Sequence, residues 1–205
     1  MAKQKLNNKT IAVLGILIGL IILMAFTPVG YLRVGAVSIS FLMIPVAIGA
    51  IAKGPWAGTL LGIVFGITSF VQCFGMDLFG TYLASKNVIF TFIMCVICRA
   101  LAGFLAGLVF KGISKLTKNS FVRSSLTGLC AALFNTILFL GALILLFGSA
   151  TASESMGLDP STGTFALIAA IAAMLGINAI LEAIASFIVT GAVGVALFKA
   201  KLIEQ

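Results

Sequence analysis

Six apolar runs, at roughly 10–28, 36–52, 56–74, 88–110, 124–148 and 165–198, take up most of the 205 residues. A helix needs about 20 apolar residues to cross a hydrocarbon core. Within lipid the backbone must satisfy its own hydrogen bonds, which leaves helices or closed barrels. Barrel strands alternate apolar and polar residues, and these runs do not. The expected fold is therefore all-α: a six-transmembrane-helix bundle forming a single integral membrane domain over 1–205. Composition agrees, because a chain that is 61% hydrophobic and 9% charged has more apolar surface than a soluble domain could bury. The N-terminal "MAKQKLNNKTIAVLGILIGLIILMAF" has the basic start and apolar run of a signal peptide. It lacks a small-x-small cleavage site and reads as a retained first helix. The second run is short and carries Pro45, which predicts a kink or partial exposure to a cavity. The last run exceeds what a membrane needs, so its first turns should rise above the bilayer.

The formal charge of +8 would suggest nucleic acid in a soluble protein, but here the basic residues sit at the ends of apolar runs. Lys3, Lys5, Lys9, Lys53, Lys111, Lys115, Lys118, Arg123, Lys199 and Lys201 fall on one side of a six-span topology. Arg33 and Lys86 fall on the other, with Asp77, Glu154 and Asp159. The positive-inside rule then puts both termini and the basic loops in the cytoplasm. Nucleic acid is not an expected partner. The inner turn "AKGPWAG" has Gly54–Pro55 as its breaker and Trp56 as an interface anchor. The outer loops "GYLRVGAV", "FGMDLFGTYLASKN" and "SATASESMGLDPSTGT" are longer, and are either solvated connectors or a lid. Cys73, Cys95, Cys98 and Cys130 with no histidine do not make a metal centre. Cys95 and Cys98 form a CxxC inside an apolar helix, where cysteine behaves as a small hydrophobe.

One charge breaks the pattern. In "FIMCVICRALAGFLAGLVF" Arg99 lies near the middle of a span, where removing it from water is costly and demands a partner. Counting 1.5 Å per residue from the outer end, Arg99 lies about 16 Å deep and Asn135 about 20 Å. Asn178 and Glu182 lie about 15 and 21 Å deep on the same scale. Residues four apart share a helix face, so Asn178, Glu182, Ser186 and Thr190 form one stripe. Cys95, Ala102, Gly103 and Ala106 flank Arg99 and mark that face as a helix contact. Two arrangements follow: an Arg99–Glu182 ion pair tying two spans together, or a ligand pocket that includes both. In the first span, Gly15 and Gly19 form a small-xxx-small pair suited to close helix approach, within the chain or to a partner.

The runs "TPVGYLRVGAVSISFLMIPVAIGAIAKGPWAGTLLGIVFGITSF", "CRALAGFLAGLVFKGISK" and "AALFNTILFLGALILLFG" resemble the substrate-binding S components of energy-coupling factor (ECF) vitamin transporters. The likeness covers almost the whole chain, and "IPVAIGAIAKGPWAG" is its most specific piece. Through Arg99 and the "FNT" at Asn135 it is nearest to the pantothenate-type members. The resemblance implies a bundle in the bacterial cytoplasmic membrane that binds a vitamin from outside. It implies delivery inward with a transmembrane coupling protein and two cytoplasmic ATPase subunits. It also implies that the first helix docks on the coupling protein through an alanine-x-x-x-alanine motif, matched here by Gly15 and Gly19. Arg99, Asn135, Asn178 and Glu182 are the expected substrate-binding residues, with no cofactor and no metal.

The chain has no Walker sequence, so ATP hydrolysis would come from partners. It also lacks histidine, intramembrane aspartate pairs and G-x-S-x-G, so it is not read as an enzyme. A guanidinium suits a carboxylate and favours pantothenate. Glu182 with two amides would also suit a polar ring system, which leaves riboflavin as the runner-up. An autonomous secondary transporter with Glu182 as proton carrier is the alternative from a different class. A non-catalytic membrane scaffold would bind no solute.

Overall fold

The computed structural model of the protein describes residues 8–28, 30–34, 37–155 and 164–200, with side chains at all of these except 32–34, 37–39, 149–150, 152–155 and 164–178. Lys3, Lys5, Asp159 and Lys201 lie outside the described residues, as do the side chains of Arg33, Glu154 and Asn178.

The elements run α1 (Asn8–Ala25), β1 (Tyr31–Val34), β2 (Val37–Ser40), α2 (Met43–Lys53), α3 (Pro55–Gln72) and α4 (Leu78–Lys86). Then come α5 (Val88–Phe92), a π-helical turn (Ile93–Ile97), α6 (Cys98–Leu116), α7 (Ser120–Ser155) and α8 (Thr164–Lys199). From α5 through α6 the chain is one continuous apolar helix, Val88–Leu116. Among the described residues, five segments are long and apolar enough to cross a membrane: α1, α3, Val88–Leu116, Ser120–Gly148 of α7 and Ala179–Lys199 of α8. At Gly148 the backbone takes φ 76° and kinks α7, ending its spanning part where the fifth apolar run ends.

The second run corrects the sequence reading. Instead of a helix over 36–52, the chain forms an antiparallel hairpin in which Tyr31 pairs with Ser40 and Val34 with Val37, and the helix starts at Met43. Pro45 therefore falls in the first turn of α2, where a missing N–H costs nothing, and no kink is needed. In α2 every residue from Met43 to Ala52 is buried, and the helix packs against α1, α3, α6, α7 and α8. An apolar surface on all sides is what a central helix requires. Gly54, at φ 84°, reverses the chain, and Pro55 starts α3 with its φ already set.

Against α2 lies the tightest interface, between α3 and the Val88–Leu116 helix. Gly58, Gly62 and Gly66 recur every four residues on one face of α3. A Cβ added at Gly62 would fall on the Arg99 carbonyl oxygen, and one at Gly66 would lie 2.6 Å from the Cys95 carbonyl oxygen. On the facing helix, a Cβ at Gly103 would fall on the Gly58 carbonyl and lie 3.0 Å from Val46 of α2. Backbone meets backbone here, which gains dispersion contacts that lipid tails cannot match.

The helix ends near Lys53, Lys111, Arg123 and Lys199 meet at one end of the bundle. There Ile51, Ala52 and Phe110 form a cluster with Val13, Leu197 and Phe198. Arg123, which the sequence placed simply in a basic loop, is buried, with its guanidinium 3.8 Å from the Phe198 ring centroid and 5.9 Å from that of Phe110. It clamps α6, α7 and α8 together by cation–π contact as well as marking topology. At the opposite end, the Gln72 side-chain amide donates to the Ala25 carbonyl and ties α3 to α1. The connection between α3 and α5 contains α4, capped by Asp77 Oδ2 accepting from the Gly80 N–H at 2.8 Å. Its Leu83 packs on Met94 and Leu143, across the end of the bundle away from Arg123.

Candidate functional site

Arg99 lies in the first turn of α6, two residues past the π-helical turn. An i→i+5 turn leaves carbonyls without their usual helical partner, and Arg99 supplies one: its Nη1 donates to the Met94 and Cys95 carbonyls, each at 3.2 Å. The guanidinium also lies 4.9 Å from the ring centroid of Phe65 on α3 and 5.4 Å from that of Phe139 on α7. Both distances fit cation–π attraction, which strengthens when the cation is removed from water, and Arg99 is only 8% exposed. Its Nε has no hydrogen-bond partner. The charge is thus held along one edge and by ring faces, while its Nε edge remains uncommitted.

Glu182 is also buried, and its Oε1 accepts the Ser40 backbone N–H at 2.6 Å. That bond fastens the end of β2 to α8 and satisfies a backbone donor that the hairpin alone leaves open. Of the two arrangements the sequence allowed, the Arg99–Glu182 ion pair does not form: each group has its own, different partner.

Asn135 is buried on α7, and its Oδ1 has no partner. It lies one turn from Phe139 on the same face, so the two face α6 together. Ser40 adds a further buried, unpartnered Oγ beside Glu182. Measured from the basic end, Arg99 is about 26 Å above Leu116, Glu182 about 26 Å above Lys199 and Asn135 about 23 Å above Ser120 at 1.5 Å per residue. Asn178 is one turn outward of Glu182 on α8, with its side chain outside the description. Below Glu182 the stripe continues inward-facing, with Ser186 and Thr190 both buried. A Cβ at Gly128 of α7 would lie 2.6 Å from Thr190 Oγ1, so this lower part is a packed seam, in which Thr190 Oγ1 and the Ser124 and Ser125 Oγ atoms are also buried without hydrogen-bond partners.

Sequence reasoning missed Phe65, Phe139 and Ser40. The rings reach Arg99 from two other helices, and no local spacing signals that meeting. Cys95 and Cys98 are both buried, and the Cys98 thiol donates to the Leu138 carbonyl at 3.5 Å, as small core residues do. Among the described residues no group of three or more His, Cys, Asp or Glu gathers to hold a metal.

Gly15 and Gly19 sit on a different surface. Leu17, Ile21 and Ala25 are the buried residues of α1. A Cβ built at Gly15 or Gly19 meets nothing within 4 Å, and Ile16 between them is 71% exposed. Among the described residues, nothing packs closely against this pair.

The fold and site define a multi-pass membrane protein that buries a cation, Arg99, and the polar side chains of Asn135 and Glu182 among its helices. Comparison with protein families matches residues 9–194 to ECF transporter, substrate-specific component, and the chain belongs to that family. Its members are transport subunits, not enzymes. Among curated proteins no match was found.

Proposed function

We propose that this protein captures a carboxylate-bearing vitamin, pantothenate, from outside the cell membrane. Transport would then proceed with a transmembrane coupling protein and two cytoplasmic ATPase subunits. The observation that carries the reading is the buried Arg99 guanidinium, fixed along its Nη1 edge and presenting an unpartnered Nε. A carboxylate can take two parallel N–H bonds from such an edge, which is the strongest neutral-pH anion contact a single side chain offers. Pantothenate carries a carboxylate at one end and hydroxyls and an amide toward the other. The Asn135 Oδ1 accepts from such donors, and Glu182, Asn178 and Ser40 supply further polar groups around them. In this reading Arg99, Asn135, Asn178 and Glu182 bind substrate, and the open Gly15–Gly19 face of α1 docks the coupling protein.

Mass spectrometry of small molecules extracted from the purified protein tests the substrate. Pantothenate is expected in near-stoichiometric amount, with added pantothenate restoring it after washing. A co-purifying flavin would replace the substrate while leaving vitamin capture standing. A protein that retains no solute and binds neither compound would contradict the capture reading.

A further inference from the structure

The Arg99 guanidinium sits on a long, flexible stem, yet a bidentate contact requires a defined plane. Two rings bound it, and they differ in character. Phe65 is fully buried in the α3 core, whereas Phe139 is partly exposed and has a second contact behind it. Its ring centroid lies 6.1 Å from that of Phe79 on α4. Phe79 and Leu83 come from the same short helix, which is seated on Met94 of the π-helical turn and Leu143 of α7. Phe139 is therefore placed between a surface helix and the buried cation. Met94, under that helix, also supplies one of the carbonyls that Arg99 Nη1 uses.

We propose that Phe139 is a positioning residue: its ring, braced by Phe79 of α4, holds the Arg99 guanidinium in the plane in which its Nε edge meets the ligand carboxylate. This rests on the reading of Arg99 as a carboxylate receptor. The ring acts through the cation, so its contribution belongs to the anionic end of the ligand alone. Phe139→Leu keeps an apolar side chain of similar reach and removes the π face.

The test compares pantothenate with pantothenol, in which a neutral alcohol replaces the carboxylate. Phe139→Leu is expected to weaken pantothenate binding roughly 3- to 30-fold, the range of a desolvated cation–π contact, and to leave pantothenol affinity unchanged. Phe139→Tyr, which keeps the ring, should restore most of the loss. In an Arg99→Lys background Phe139→Leu should add no further loss, because the plane it holds is gone. Equal weakening of both ligands, or full additivity with Arg99→Lys, would overturn the positioning role. A ligand-free measurement separates this proposal from the choice of vitamin. In arginine-labelled protein, the Arg99 Nη nuclei should give separate, ring-shifted NMR signals that merge in Phe139→Leu. Separate signals in both proteins would overturn the proposal even if pantothenate bound, and failure of pantothenate to bind the wild type would overturn only the vitamin assignment.

Discussion

A Gly15→Leu or Gly19→Leu protein is expected to bind its vitamin normally and to lose transport. Both glycines lie on the side of α1 that faces away from Leu17 and Ile21, and an added Cβ meets no atom within 4 Å. The leucine side chain therefore costs the isolated subunit almost nothing. Its effect falls on a partner helix that must come close. Between helices in lipid there is no hydrophobic drive to offset lost packing, so bulk on such a face directly reduces association. Pull-down of the coupling protein should fall to background and ATP-dependent uptake with it, while solute affinity stays within about twofold, a change of under 0.5 kcal/mol. Retained pull-down and full transport in both variants would remove α1 as the docking surface.

Gly62→Ala is expected to have the opposite profile. One methyl group there falls on the Arg99 carbonyl and lies 3.0 Å from the Ala100 Cα, and both are backbone atoms that cannot swing aside. The α3–α6 interface must separate, at a cost of about 3 kcal/mol, the upper end of ordinary overpacking. Separation also moves Phe65, on α3, away from the guanidinium it covers. Thermal unfolding in detergent should therefore shift down sharply, and vitamin binding should weaken in the surviving folded fraction. Gly15→Ala, the same change on the open face of α1, should leave both properties unaltered. Equal stability of the two variants would show that the α3–α6 contact is looser than described.

These two glycine sets show what can and cannot be read from a sequence. Gly58, Gly62 and Gly66 have the same four-residue spacing as Gly15 and Gly19, yet one set is sealed inside the bundle and the other is open. Spacing announces a surface fit for close approach and does not say which helix approaches. Depth was more legible. The rise per residue is constant within a helix, so counting alone put Arg99, Asn135 and Glu182 well inside their spans, and all three side chains are buried. Local partners were not legible. The π-helical turn lies in an unbroken apolar run, with no glycine or proline to mark it, and it decides where the Arg99 Nη1 protons go. The hairpin was hidden for a related reason: a short apolar run suits a buried strand as well as a helix. In "YLRVGAVSIS" the alternation within each strand spans only four residues.

Titration of pantothenate into wild-type and Arg99→Lys protein, both shown to be folded, decides whether Arg99 receives the substrate carboxylate. Lysine keeps the charge and loses the planar fork that can meet a carboxylate through two bonds. Losing one charge-assisted bond costs about 1.5–3 kcal/mol, so affinity should fall roughly 10- to 100-fold. Unchanged pantothenate affinity in the folded Arg99→Lys protein would contradict the account and leave Arg99 as a structural cation held by the Met94 and Cys95 carbonyls.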